Sequence, residues 1–147
     1  MTIRSGRGGA MAHLFGLGDG ERVEMGGVDE PRGWRIQVCP QNTASERLSM
    51  GTQEIPPGGR IPVHLHEREE EILFFHAGEG EVEVDGAVHP VGPGMSVFLP
   101  PGVSHGVRNT GGLPIKLVWI FSPPGYEEVF RQMARRGMDH GEIEDHI

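Results

Sequence analysis

The chain is poor in the residues that would mark it for several common roles. Cysteine occurs once, at Cys39, so no internal disulfide can form, and a reducing compartment, the cytoplasm, is the expected location. Lysine also occurs once, at Lys116, and the remaining basic residues are scattered arginines with no basic run. Thirteen Lys and Arg against 21 Asp and Glu leave a net charge of −8, which repels phosphate backbones and anionic lipid. Neither a nucleic-acid nor a membrane partner is therefore expected. No apolar run approaches the ~18 residues that a membrane span needs. Arg4 and Arg7 near the start are followed by glycines, Ser5 and His13 rather than an apolar core, a poor signal peptide. The 147 residues suffice for one domain.

Glycine and proline, by contrast, are abundant, at 24 and 12 residues. From Trp34 onward they punctuate short apolar runs, the pattern of a many-stranded β protein. Residues 1–30 instead combine many glycines with few β-formers, and read as a flexible or partner-dependent arm whose Met1–Ala10 stretch is expected to be disordered. Strands are expected at Trp34–Val38, Leu48–Glu54, Arg60–His66, Glu71–His76, Gly80–Val84, Ala87–His89, Met95–Leu99, His105–Asn109 and Ile115–Phe121. Asp85-Gly86 between two of them is a two-residue hairpin signal, because a type I′ turn needs positive φ at both central positions. Tyr126, Val129, Phe130, Met133 and Ala134 recur at helical spacing, which predicts a helix over Tyr126–Gly137 with acids at its start and arginines at its end. The expected organisation is an arm over 1–30, an all-β barrel, closed or double-sheet, over 31–124, and a C-terminal helix with an acidic tail over 125–147.

Chemistry concentrates in three of the eight histidines. His64 and His66 share one face of a strand, because side chains repeat every second residue. A four-residue turn, Glu67 to Glu70, leads to Glu71 on the return strand, and His105 opens a later strand after a Pro-Gly turn. Three imidazoles and a carboxylate converging in a small barrel make a metal site, and octahedral coordination leaves two positions open. His76 faces away by alternation with Glu71, and His13, His89, His140 and His146 lack partners at metal spacing. Cys39, between Val38 and Pro40, reads as a small apolar filler.

Gly58-x5-His64-x-His66-x4-Glu71-x6-Gly78 resembles the first signature motif of the cupin superfamily, and Gly94-x5-Pro100-x-Gly102-x2-His105-x3-Asn109 its second. The gap between them, residues 79–93, has the short length typical of small microbial cupins, and the resemblance, to a small single-domain and quercetin-dioxygenase-like member, covers residues 34–121. It implies a double-stranded β-helix (the cupin jelly roll) holding one divalent transition metal, Fe, Mn, Ni, Co or Zn, on His64, His66, Glu71 and His105. Glu70 competes with Glu71 for the carboxylate position, and the family's framing of the run Glu71-Ile72-Leu73-Phe74-Phe75 selects Glu71. Asn109 is expected to brace a turn. Gly78 and Gly94 fit tight turns where a Cβ would be strained.

Alternation then suggests a substrate pocket lined by Met50, Leu73, Phe75, Phe98, Val107 and Trp119. Ile72, Phe74, Val118 and Ile120 are apolar on the opposite face, so a second subunit is expected to cover them and the chain to be a homodimer. The leading expectation is a metal-dependent dioxygenase of a small enol, diketone or aromatic substrate, with Glu71 also taking a proton. The alternatives are a non-redox metal-dependent isomerase, epimerase or lyase, and a non-catalytic small-molecule-binding cupin.

Overall fold

The structure, a computed structural model, describes residues 1–4, 10–25 and 32–137. A small antiparallel pair, β1 (Thr2–Arg4) with β2 (Met11–His13), precedes β3 (Glu21–Met25) and β4 (Arg32–Val38). A four-residue helix, α1 (Pro40–Thr43), leads to β5 (Ser49–Ile55), β6 (Arg60–His64), β7 (Glu70–Ala77), β8 (Gly80–Val84) and β9 (Ala87–Val91). β10 (Ser96–Leu99), β11 (His105–Arg108), β12 (Ile115–Ser122) and the terminal helix α2 (Tyr126–Arg136) complete the described chain.

Two antiparallel sheets carry the architecture: a six-stranded one in the order β10-β7-β12-β5-β4-β3, and a four-stranded one in the order β6-β11-β8-β9. One buried cluster joins them, with Leu73, Phe75, Leu117 and Trp119 from the first and Ile61, Val82, Val91 and Val107 from the second. This is the expected all-β jelly roll with a short C-terminal helix. Alternation is strict along the central strands: in β7, Glu71, Leu73 and Phe75 are buried while Glu70, Ile72, Phe74 and His76 are exposed. The hairpin turn is as expected, with positive φ at Asp85 (50°) and Gly86 (84°). Gly78 and Gly94 also lie at positive φ.

The segment read as a flexible arm is partly strand. β3 pairs with β4 over Glu21–Met25 and extends the large sheet, with Val23 buried against the core. That contact depends on a distant edge being free to accept a strand, which local composition does not encode. Of the Met1–Ala10 stretch, residues 5–9 lie outside the described residues, and Thr2–Arg4 form β1. His140 and His146, and most of the acidic tail, likewise lie outside them.

Helix α2 runs over Tyr126–Arg136 and ends on Gly137, which takes a left-handed conformation (φ 63°) and closes the last turn through its N–H to the Met133 carbonyl. Tyr126, Phe130 and Met133 are buried, one face of a 3.6-residue repeat. Phe130 stacks on Trp34 with ring centres 4.9 Å apart and stands edge-on to Trp119 at 5.1 Å. Arg131 ties the helix to β3 through paired contacts with the Glu21 carboxylate at 2.7–3.1 Å.

Candidate metal centre

The site is built where β6, β7 and β11 meet. His105 sits directly opposite His64 in the β6–β11 ladder. Between that pair and Val107–Ile61, β6 advances three residues against two on β11, a bulge at Pro62 and Val63. Plain alternation would turn Ile61 and His64 to opposite faces, and the extra residue lets both point inward. Pro62, with no N–H to donate, suits this break in the ladder. β6 ends at His64, earlier than expected, so His66 stands in the following loop. The Gly102 N–H holds that loop by donating to the His66 carbonyl at 2.7 Å. Asn109 is buried and braces a turn as expected, its Nδ2 donating to Ile55 O (2.9 Å) and Leu113 O (2.8 Å).

His64, His66 and His105 converge, with one ligand nitrogen from each lying within 4.8 Å of the others. Their ring centres are 4.5–5.0 Å apart. The Nδ1–H of His64 donates to Pro62 O at 2.7 Å and that of His105 to Val103 O at 3.0 Å. Such backbone acceptors fix the tautomer and leave Nε2 with its lone pair inward, the orientation metal-bound imidazoles use. Glu71 Oε2 lies 2.6 Å from His66 Nε2 and 3.5 Å from His105 Nε2. These three atoms are buried without a well-aligned hydrogen-bond partner. Buried polar atoms are rarely left so, and a cation at their centre satisfies all of them at once. The residues present therefore fit a divalent ion.

The electrostatics agree. Burial, with the neighbouring His105 and His66, pushes the His64 imidazole down to about 3, so it is neutral and available as a ligand. Burial pushes the Glu71 carboxyl up, but the close approach of His105 and His66 outweighs it and holds the group below the ordinary carboxylate value.

Around His64, His66 and Glu71 the wall is Ile61, Leu73, Trp119, Phe121 and Phe130, with Gln53 the one further polar side chain among the described residues. About 280 Å³ lies among them, mouth included. The terminal helix narrows it: Phe130 is part of the wall, and the Tyr126 ring stands 4.1 Å from that of His66.

Of the six expected lining residues, Leu73 and Trp119 are on this wall. Phe75 and Val107 are buried in the core away from it. Two expectations are wrong. Met50 is half-buried and outward, because β5 turns Ser49, Gly51, Gln53 and Ile55 inward. Phe98 is 57% exposed and lies beside the outward Ile72. Gln53, Ile61, Phe121 and Phe130 were missed. The period-two pattern of β5 read from Gly51 would have found Gln53. Phe130 had no such signal, since only the packing of the chain places α2 over the barrel. His76 and His89 are exposed, and Cys39 is buried with a free thiol, as expected.

Comparison with known proteins bears on the same residues. Residues 51–121 match the cupin domain model. Protein SchB of Streptomyces halstedii is 34% identical over 89 residues, 60% of this chain and 64% of that one. The dimethylsulfoniopropionate lyase DddW of Ruegeria pomeroyi is 27% identical over 115 residues, 76% of this chain and 74% of its own. The match to the first three curated relatives spans 58–64% of their lengths. An RmlC-like cupin from Shewanella frigidimarina superposes with a TM-score of 0.64 at 24% identity, over 80% of this chain and 96% of that one, a likeness of fold. No described helix is long and apolar enough to cross a membrane. The domain match spans the segment that holds His64, His66, Glu71 and His105, and the fold is similar to that of the RmlC-like cupin.

Proposed function

We propose that the chain is a metal-dependent enzyme, a dioxygenase of a small enol, diketone or aromatic substrate, with the ion held by His64, His66, Glu71 and His105. The observation that carries this reading is the set of buried, unsatisfied ligand atoms facing an aromatic-walled cavity with no Lys or Arg on its wall. The ion supplies Lewis acidity and a template for two substrate oxygens. Glu71, held ionised, accepts the proton of an enolisable substrate through its carboxylate. Leu73, Phe121 and Phe130 exclude water and give a flat apolar substrate its contact surface. The test is oxygen uptake by the Fe²⁺-, Mn²⁺- or Ni²⁺-loaded protein with acetylacetone and a flavonol as probes. Oxygen consumption matched to loss of the probe supports the reading, and none with any metal sinks it.

A redox-free elimination or isomerisation is the second reading, favoured by the likeness to the lyase DddW over three quarters of both chains. Turnover of dimethylsulfoniopropionate or another β-substituted acid under anaerobic conditions would select it.

The same proposal takes the working protein as a cytoplasmic homodimer. Phe98, Ile72, Ile120 and Met50 lie side by side across the outer face of the large sheet, and Phe74 and Val118 lie beside them. Phe98 is 57% and Ile72 and Phe74 are each 39% exposed, an apolar surface of the kind a partner covers.

A further inference from the structure

Two donors on the cavity wall have no work in the reading so far. Gln53 Nε2 and Trp119 Nε1 are buried, each on a side chain at most 5% exposed, and neither has a hydrogen-bond partner. Both side chains line the same cavity as His64, His66 and Glu71. An unmade buried hydrogen bond costs roughly 1–3 kcal/mol, so two on one wall are expensive unless a ligand completes them. The backbone is arranged to keep the indole there. Gly51 is the direct partner of Trp119 in the β5–β12 ladder, and a Cβ at Gly51 would collide with the Trp119 ring and the Arg35 carbonyl. Gln53 is the next inward residue of β5, beside Leu117.

We propose that Gln53 and Trp119 form a neutral donor pair that binds an acceptor oxygen of the molecule held at the metal. This rests on the metal-centred reading above and adds the class of ligand. An indole N–H can only donate, and the Gln53 amide presents its NH₂, so the complement is an oxygen with free lone pairs. A divalent ion with the Glu71 carboxylate would leave one positive charge, and among the described residues no Lys or Arg stands on the wall. The site is thus balanced by a monoanion with one more acceptor oxygen than the two on the ion: an α-keto acid or a hydroxylated enolate, rather than a phosphate or a dianion.

The test compares two monoanionic O,O-chelators on the full-length, Ni²⁺-loaded protein by calorimetry. Pyruvate keeps a free carboxylate oxygen after chelation, and 2,4-pentanedionate does not. Gln53→Leu and Trp119→Phe each delete one donor and keep most of the volume, and each should weaken pyruvate about tenfold to a hundredfold, as charged hydrogen bonds do. Metal content and pentanedionate affinity should stay within twofold. Ser49→Ala, a substitution at an equally buried unpartnered group that is off the wall, should change neither probe. If Trp119→Phe does not fold, Gln53→Leu alone decides. Equal weakening of both probes, or of neither, overturns the donor pair and leaves the metal centre standing. A wild-type protein that takes up no metal overturns the proposed function, and this inference with it.

Discussion

Replacing Glu71 by Gln, against Glu70→Gln as its control, tests the centre most sharply. The two residues adjoin, but β7 turns them to opposite faces: Glu71 is 5% exposed and Glu70 lies open to solvent at the strand's first position. Glu71→Gln keeps the shape of the side chain and removes its charge from a point 2.6 Å from His66 Nε2 and 3.5 Å from His105 Nε2. Loss of an outer contact to a metal ligand costs roughly 10–100-fold in affinity, and loss of an anionic ligand should cost at least that. At a fixed excess of metal this removes about 1.4–2.7 kcal/mol of metal-linked stability. At about 2–4 °C per kcal/mol for a chain of this size, the metal-induced rise in melting temperature should shrink by about 3–10 °C. Glu70→Gln should move it by less than about 1 °C, since a solvated carboxylate contributes little. Differential scanning fluorimetry with and without Ni²⁺ or Mn²⁺, with a competition titration for affinity, reads both. Equal shifts in the two variants would refute the assignment, and a larger one in Glu70→Gln would mean the inner face of β7 is misassigned.

His64→Ala or His105→Ala should lose most of the bound metal, while His76→Ala and His89→Ala, at exposed positions, should keep it, as measured by elemental analysis of untagged protein. The metal-free protein should lose stability on acidification. His64 stays neutral in the fold down to about 3 but takes a proton below about 6.5 when unfolded, so stability falls between those values by up to about 1.4 kcal/mol per pH unit. In His64→Gln, chemical denaturation across pH should show that slope reduced. Phe130→Ala should open the mouth of the cavity and cost roughly 3–5 kcal/mol, given its packing on Trp34 and Trp119, with faster chelator binding in stopped flow. Light scattering should give twice the 16.0 kDa chain mass, and Phe74→Glu on the outer sheet face should return it to the monomer.

The strands from β4 onward, the hairpin at Asp85-Gly86, the terminal helix and the three histidines that converge were legible in the sequence. These rest on local rules: period-two and period-3.6 burial, turns that need positive φ, and ligand spacing along the chain. The sequence also set these three histidines apart from His76, which lies one step out of phase with Glu71. What tertiary structure alone decided lies where distant segments meet. The bulge at Pro62–Val63 brings Ile61 and His64 to one face, a consequence of ladder pairing with β11. The register of β5 against β12 puts Gln53 inside and Met50 outside, reversing the expected pocket wall, because a strand flips every side chain when its phase shifts by one residue. α2 reads from the sequence only as an amphipathic helix; that its Phe130 and Tyr126 close the cavity depends on where its apolar face finds a surface to bury, and that surface exists only once the barrel has formed.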